Sequence, residues 1–268
     1  MNQAEPGLVE SIFKPSASVY EHMSVLTDSD RGDPWSHEGE GKVRAILVGL
    51  GLTIAGFLVS LVGGVAFIVP LILLEIDIQS TGPFLALTAV GQAGFLLLGY
   101  AYARYTDLTV HVSRPSTREL GWGLVGVVAA LVVAIGVSAL LAALDLVPGS
   151  VIGDAVVSDP TLVLGLAALS IVLVAPAEEF LFRGVIQGRL RRSLGPVGAV
   201  LGSSLLFGSL HLGNYTGETA AVVAGAVLIA CVGTVFGVLY ERTENLVVPI
   251  VAHAVYNTIL MVLSYLTL

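Results

Sequence analysis

The stretch Ala175–Gly184, APAEEFLFRG, places two adjacent carboxylates and one arginine inside a long apolar segment. Glu179 and Arg183 stand four residues apart, so a helix brings them to one face, where they can form an ion pair. Glu178 is rotated by about 100° around the same helix and is left unpaired. A free carboxylate inside a helical bundle is suited to act as a general base on water.

Two later apolar segments each carry a histidine. His211 ends the sequence FGSLH, and His253 begins HAVYN, which places Asn257 four residues further on and on the same helical face. Counting about 1.5 Å per helical residue from the basic ends of these segments, all four polar residues fall near the middle of a bilayer. A carboxylate, two imidazoles and an amide can activate water and stabilise an oxyanion, as hydrolysis of an amide bond requires.

The segments that carry these residues have the composition of membrane helices. The chain of 268 residues is 55% hydrophobic and only 12% charged, and about 20 apolar residues suffice to cross a bilayer. We therefore predict an all-α, polytopic transmembrane helical bundle of about seven spans. The predicted spans are 45–74, 84–103, 120–144, 161–188, 193–217, 219–240 and 245–268.

Basic residues predict the orientation of this bundle. Eleven of the twelve Lys and Arg residues fall in alternate connections, and the twelfth is Arg183. Membrane proteins keep such positive connections in the cytoplasm. The pattern predicts a multi-pass protein of the cell membrane whose N-terminus is cytoplasmic, and we expect the active site to be reached from the cytoplasmic side.

Three regions are expected along the chain. Residues 1–44 form an acidic, flexible cytoplasmic tail, which lacks the basic start and short apolar core of a cleavable signal peptide. Residues 45–147 form three N-terminal transmembrane helices. Residues 161–268 form a catalytic four-helix membrane core that contains all the motifs above.

The three motifs together resemble those of the CAAX prenyl protease and bacteriocin-processing family, also called the Abi family. EEFLFR resembles the family's EExxxR motif, FGSLH its FxxxH motif and HAVYN its HxxxN motif, in the same order along the chain. The resemblance covers roughly residues 161–268. It implies an intramembrane endopeptidase similar to type II CAAX prenyl proteases.

The resemblance also implies a role for each motif residue. Glu178 would be the base, and His211 would hold the attacking water. His253 and Asn257 would form the oxyanion hole. Structural support would come from Glu179 and Arg183, and apart from the resemblance we expect Phe207 to support the site by packing.

Cofactor and substrate are less constrained by the sequence. Glu178, His211 and His253 would also suit a zinc site with one open position, so metal dependence stays open. We favour the metal-free mechanism, which predicts activity that survives chelators. The expected substrate is a membrane-associated protein or peptide in the lipid bilayer, prenylated if it is of the CAAX type. A net charge of −8 disfavours nucleic acid as a partner.

Two functions of other classes remain open at this point. A proton-coupled transporter or channel could use the buried Glu and His residues as a relay. A non-proteolytic membrane scaffold or immunity protein of the same family could carry the same motifs without using them.

Overall fold

The computed structural model describes residues 41–78 and 80–268, and these form a helical bundle. The predicted tail at 1–44 therefore lies almost entirely outside the described residues. The long helices are α1 (Lys42–Leu73), α2 (Thr81–Tyr105), α3 (Thr117–Ala143), α8 (Thr219–Thr243) and α9 (Val247–Thr267), and a short helix, α4 (Gly153–Ser158), precedes the motif region.

The motif region is one continuous helical stretch with several changes of winding. It comprises α5 (Thr161–Leu169), α6 (Ala175–Glu179) and α7 (Gly188–Leu210), joined by the π-helical turns Ser170–Val174 and Phe180–Gln187. A 3₁₀ turn, His211–Asn214, follows α7. Two short antiparallel strands, β1 (Gly149–Ser150) and β2 (Tyr215–Thr216), pair beside it.

Six helical stretches among the described residues are long and apolar enough to cross a membrane, and one of them, Thr161–Asn214, contains 54 residues. A straight helix of that length would measure about 80 Å, far more than the hydrocarbon core of a bilayer. The stretch instead folds back at Gly195, whose φ of 71° is not helical. Contacts from Arg183 to Ser203 and Ser204 prove the reversal. The two spans predicted at 161–188 and 193–217 are thus the two arms of this stretch, and the predicted fold class is confirmed.

The distribution of polar and apolar side chains is that of a protein solvated by lipid. Large apolar side chains point outward along the helices, for example Leu47 at 60% exposure and Val132 at 64%. The largest fully buried side chain in the described residues is an arginine, Arg183. Burying charge inward while exposing hydrocarbon is stable only where the surroundings are themselves apolar.

The motif arm 161–188 lies between two apolar clusters. One cluster joins it to α1, α2 and α7, with Leu52, Leu181 and Phe207 among its members. The other joins α3, α8 and α9 around Phe236. Packing from both sides keeps the motif arm in the centre of the bundle, where its polar side chains meet those of the surrounding helices.

The two ends of the bundle differ in charge. One end, called the basic end below, gathers nine basic residues at the start of α1, the connection from α2 to α3, the reversal at Gly195 and the end of α8. Its elements are tied together by contacts such as Arg191 Nε to Glu241 Oε2 at 2.9 Å and Arg242 over the ring of Trp122. These nine residues are Lys42, Arg44, Arg104, Arg114, Arg118, Arg189, Arg191, Arg192 and Arg242.

The opposite end, called the strand end below, contains β1 and β2. It also contains a hydrogen bond from Thr81 to Asp159, which ties the start of α2 to the start of α5. Its connections, 74–80, 144–160 and 211–218, contain no Lys or Arg. The bundle therefore has a strongly asymmetric distribution of positive charge along its axis.

Candidate active site

Local winding of the motif arm positions the two glutamates. Pro176 lacks an N–H, so it cannot complete an ordinary helical ladder with the preceding turn. The chain accommodates it with the π-helical turn Ser170–Val174, and a second π-helical turn begins directly after Glu179. Such widened turns are rare and are found mostly at functional sites. Here they bracket the five residues of α6, which include both glutamates.

All four residues predicted to be catalytic line one cavity of about 430 Å³. Glu178 comes from α6, His211 from the 3₁₀ turn that follows α7, and His253 and Asn257 from α9. Their sequence separation is large, and only the fold-back at Gly195 and the packing of α9 bring them to the same wall. Apolar side chains supply much of the remaining lining, namely Phe84, Leu166, Val174, Ile229, Val232, Phe236 and Met261.

Glu178 faces this cavity and is almost fully buried, with 6% of the residue exposed. Its Oε1 accepts a hydrogen bond from Nε2 of Gln92 at 2.9 Å. Its Oε2 lies 3.9 Å from Nε2 of His253, too far for a direct hydrogen bond. One carboxylate oxygen is therefore fixed by an amide, while the other is left for a small molecule in the cavity.

Glu179 turns away from the cavity into a layer of buried polar side chains. Its Oε2 accepts from Nε of Arg183 at 3.1 Å, and both side chains are fully buried. Arg183 also donates from Nη1 to the hydroxyls of Ser203 and Ser204. Its Nη2 has no hydrogen-bond acceptor within the described part of the chain, but the guanidinium lies 5.3 Å from the centre of the Phe207 ring, a favourable cation–π arrangement.

His253 connects the two glutamates. Its Nδ1 lies 2.8 Å from Oε1 of Glu179, so Nδ1 carries a hydrogen and donates a hydrogen bond to that carboxylate. The other nitrogen, Nε2, points towards Glu178. The ring stacks on Phe236 with centroids 4.9 Å apart and planes inclined by 18°. This packing and the bond to Glu179 hold the imidazole in one orientation, as supporting hydrogen bonds do for functional histidines.

The bond to Glu179 decides what Nε2 of His253 can do. In a neutral ring Nε2 can only accept a hydrogen bond, and it can donate only from a doubly protonated imidazolium. With that charge, the imidazolium and Arg183 balance the carboxylates Glu178 and Glu179.

His211 is fixed by its own helix. Its Nδ1 lies 2.9 Å from the carbonyl oxygen of Phe207, and because a carbonyl only accepts, Nδ1 carries the proton of the neutral ring. The lone pair on Nε2 then remains available as an acceptor. The Phe207 ring packs against the imidazole with centroids 4.6 Å apart. Phe207 thus contacts His211, Arg183 and His253, in keeping with its predicted supporting position.

Asn257 is held by a residue that the sequence analysis did not single out. Its Nδ2 donates to the hydroxyl of Ser170 at 3.0 Å, and Ser170 is fully buried in the first π-helical turn. A side-chain amide has two N–H groups, so one donor of Asn257 remains for a ligand in the cavity.

The zinc set considered from the sequence does not form here. Within residues 41–78 and 80–268, no three His, Cys, Asp or Glu side chains are grouped so that they could hold a metal ion. Nδ1 of His211 and Nδ1 of His253 are both engaged by protein oxygens, and Nε2 of His253 lies 3.9 Å from the nearest oxygen of Glu178. These contacts leave Nε2 of each histidine as its only possible metal ligand, and in the described residues no third ligand is grouped with them.

Several contributors to the site carry no motif signal. Gln92 stands in α2, outside the motif segments, and its Oε1 is buried without a hydrogen-bond partner in the described residues. Gln187 is fully buried and links Ser203, the carbonyl of Gly237 and Glu241. Ser203 has the appearance of an ordinary small residue in sequence. Isolated polar residues in predicted apolar spans were the only available signal for this group.

The cavity is bounded at the strand end by loop residues. Ser150 ends β1, and Val151 and Ile152 follow it. Asn214 precedes β2 and Tyr215 begins it, and all five residues line the cavity. None of the nine basic residues lines it. This lining does not support the predicted access from the cytoplasmic side, because that prediction placed the entrance at the basic end.

Comparison with known proteins finds a family match in the motif region. Residues 160–259 match the family described as type II CAAX prenyl endopeptidase Rce1-like. This match confirms the resemblance predicted from the three motifs. It covers both arms of the folded-back stretch, α8 and most of α9, and so includes all four residues that line the cavity from the motifs.

Two curated relatives from Bacillus subtilis (strain 168) are similar to 32% of this chain, over 87 residues. "Uncharacterized protein YpbD" is 31% identical over 39% of its length, and "Putative membrane peptidase YdiL" is 33% identical over 32% of its length. The chain thus spans 32–39% of the length of these relatives. No solved structure matches it. The name of the second relative, a membrane peptidase, agrees in kind with the family match.

Proposed function

We propose that this protein is an intramembrane endopeptidase that cleaves a membrane-associated protein or peptide with a water molecule activated by Glu178. The observation that carries the proposal is the position of Glu178, buried in a cavity that it shares with His211, His253 and Asn257. The family match adds the expectation that the bond cleaved is a peptide bond.

The first step uses the free oxygen of the base. Gln92 holds Oε1 of Glu178, so Oε2 is the oxygen that takes a proton from water. The lone pair on Nε2 of His211 accepts the second water hydrogen and orients the oxygen. That oxygen forms a bond to the carbonyl carbon of the substrate, and the carbonyl π electrons move to its oxygen.

Donors from α9 stabilise the resulting oxyanion. Nε2–H of doubly protonated His253 and the second N–H of Asn257 are the available donors on that wall. Collapse of the intermediate breaks the C–N bond, and Glu178 returns its proton to the leaving nitrogen. The products are a carboxylic acid and an amine, which together contain the atoms of the substrate and one water.

Glu179 and Arg183 act one layer further from the substrate. Glu179 accepts from Nδ1 of His253 and so holds the ring with Nε2 directed towards Glu178. Arg183 neutralises Glu179 and is itself held by Ser203 and Ser204. We therefore assign these residues a supporting role.

The cavity lining favours an apolar substrate segment. Its phenylalanine, leucine, valine, isoleucine and methionine side chains would bury an apolar residue beside the scissile bond. A second cavity of about 230 Å³ also reaches Glu178 and His211, and it is lined by Ser60, Phe95 and Leu210 among others. Two cavities that both border the base would suit an extended chain or one that carries a lipid.

A comparison of peptide termini in cell membranes tests the proposal. Cells expressing the wild type should contain protein termini that are missing with Glu178→Gln, which keeps the size of the side chain and removes the base. Glu218→Gln, an exposed glutamate at the strand end, is the matched control and should behave as wild type. Identical termini in all three strains would favour the scaffold or transporter alternatives.

A further inference from the structure

The catalytic cavity is closed towards the basic end of the bundle. Between this cavity and the basic end lies a layer of residues that are at most 1% exposed. They are Glu179, Phe182, Arg183, Ile186 and Gln187. A separate cavity of about 570 Å³ at the basic end is lined by Arg191, Arg192, Glu241 and neighbouring residues, and it shares no lining residue with the catalytic cavity.

The catalytic cavity instead reaches the strand end. His211 begins the 3₁₀ turn that leads into β2, and the exposed residues Ser150, Val151 and Asn214 form part of the cavity wall. A substrate can therefore approach Glu178 past the strand pair without displacing the buried layer of Glu179, Arg183 and Gln187.

The charge asymmetry of the bundle relates this entrance to the membrane. Nine of the ten basic residues in the described part of the chain are at the basic end, and the tenth is the buried Arg183. Connections rich in Lys and Arg remain in the cytoplasm. The strand end, whose connections carry acidic residues and no basic ones, is then on the opposite side.

We propose that the catalytic cavity opens at the non-cytoplasmic face of the membrane, so that its substrates are apolar or membrane-anchored segments presented from that face. The choice of a polypeptide as substrate rests on the proposed peptidase function, whereas the side of entry rests on the lining and the charge asymmetry alone. A lipidated C-terminus held at the cytoplasmic leaflet would meet the closed, basic end.

Labelling of single cysteines tests the side of entry without any need for activity. In a Cys231→Ser background, Ser158→Cys at the strand end and Thr117→Cys at the basic end are both exposed positions outside the site. A membrane-impermeant maleimide applied to intact cells should label Ser158→Cys, and it should label Thr117→Cys only after permeabilisation. The reverse pattern would overturn the proposal.

Asn214→Cys extends the labelling to the entrance itself. Because Asn214 is exposed and lines the cavity, it should be labelled in intact cells together with Ser158→Cys. Labelling of Ser158→Cys but not of Asn214→Cys before permeabilisation would mean that the entrance is not on that face, and this too would overturn the proposal.

The positions of cleaved bonds test the substrate class. Termini that depend on Glu178 should map to segments on the non-cytoplasmic side of their membrane proteins, and termini confined to cytoplasmic segments would contradict the proposal. If the cysteines are labelled as expected and no termini depend on Glu178, the peptidase function fails together with the substrate class, while the orientation stands.

Discussion

Gln92 of α2 and Glu178 of α6 are joined by a hydrogen bond of 2.9 Å from Nε2 to Oε1, although 86 residues separate them along the chain. Gln92 lies outside the family match at 160–259. The base of the proposed reaction is thus oriented by a helix from the N-terminal half of the bundle, which otherwise contributes mainly apolar packing.

Replacement of Gln92 by methionine should slow catalysis while the fold persists. Methionine preserves the length of the side chain and removes the donor, so Glu178 loses the contact that fixes Oε1. Hydrogen bonds to charged groups contribute about 1.5–3 kcal/mol, which corresponds to a fall in kcat of roughly tenfold to a hundredfold. Steady-state kinetics on a substrate identified from the Glu178-dependent termini would measure it.

The kinetic pattern distinguishes orientation of the base from loss of structure. Gln92→Met should change kcat much more than KM and should leave the melting temperature in detergent close to that of wild type. Thr88→Val, one turn earlier on the same helix and also at the cavity wall, removes a hydroxyl that bonds only its own helix and serves as the control. Equal losses in both variants would argue against a specific role for Gln92.

Replacement of Arg183 by methionine should destabilise the protein strongly. The change leaves the carboxylate of Glu179 buried at 0% exposure without its main counter-charge. Removing one partner of a buried pair typically costs about 3–5 kcal/mol in the free energy of unfolding. Thermal unfolding in detergent would show this as a large fall in the melting temperature, whereas Arg104→Met, at an exposed site, should change little.

Chelators should not abolish activity. Within the described residues, no three His, Cys, Asp or Glu side chains are grouped so that they could hold a metal ion. Purified protein dialysed against a chelator should therefore cleave its substrate at the rate of untreated protein, while a zinc peptidase treated in parallel loses its activity. Loss with chelator followed by recovery with zinc would refute the metal-free mechanism.

Much of this site was predictable from residue types and spacing. The i, i+4 spacing of Glu179 and Arg183 predicted their contact, and helical rotation separated Glu178 from it. Contacts between distant segments were not predictable in the same way. The hydrogen bond from Gln92 depends on how α2 packs against α6. The contacts of His253 with both glutamates depend on which turn of α9 lies beside α6. Neither leaves a periodic signal in a single sequence.

The position of His211 along the bundle shows what counting along straight helices misses. Depth estimates assumed straight spans, and they placed the motif residues near the middle of the membrane with no preference for an end. The structure puts His211 at the last turn of its helix, next to β2, because the reversal at Gly195 and the π-helical turns change the register of both arms. Changes of winding of this kind are decided by tertiary packing.

Close packing of α7 on α8 gives a further prediction about the position of His211. A Cβ at Gly208 would lie 2.5 Å from the carbonyl oxygen of Ala226 and 2.8 Å from Cβ of Ala230, so Gly208→Ala must push the helices apart. Overpacking of this kind typically costs about 1–3 kcal/mol. Because Phe207 and His211 are carried by the same turn, activity should fall together with the melting temperature.

Gly136→Ala is the matched control for this change. Gly136 lies on the exposed face of α3, and an added Cβ would meet nothing within 4 Å. Thermal unfolding and cleavage assays on the two variants should therefore separate the local effect of tight helix packing from the general effect of replacing a helical glycine by alanine. If Gly208→Ala proved as stable and active as Gly136→Ala, the close contact between α7 and α8 would not be what holds His211 against the cavity.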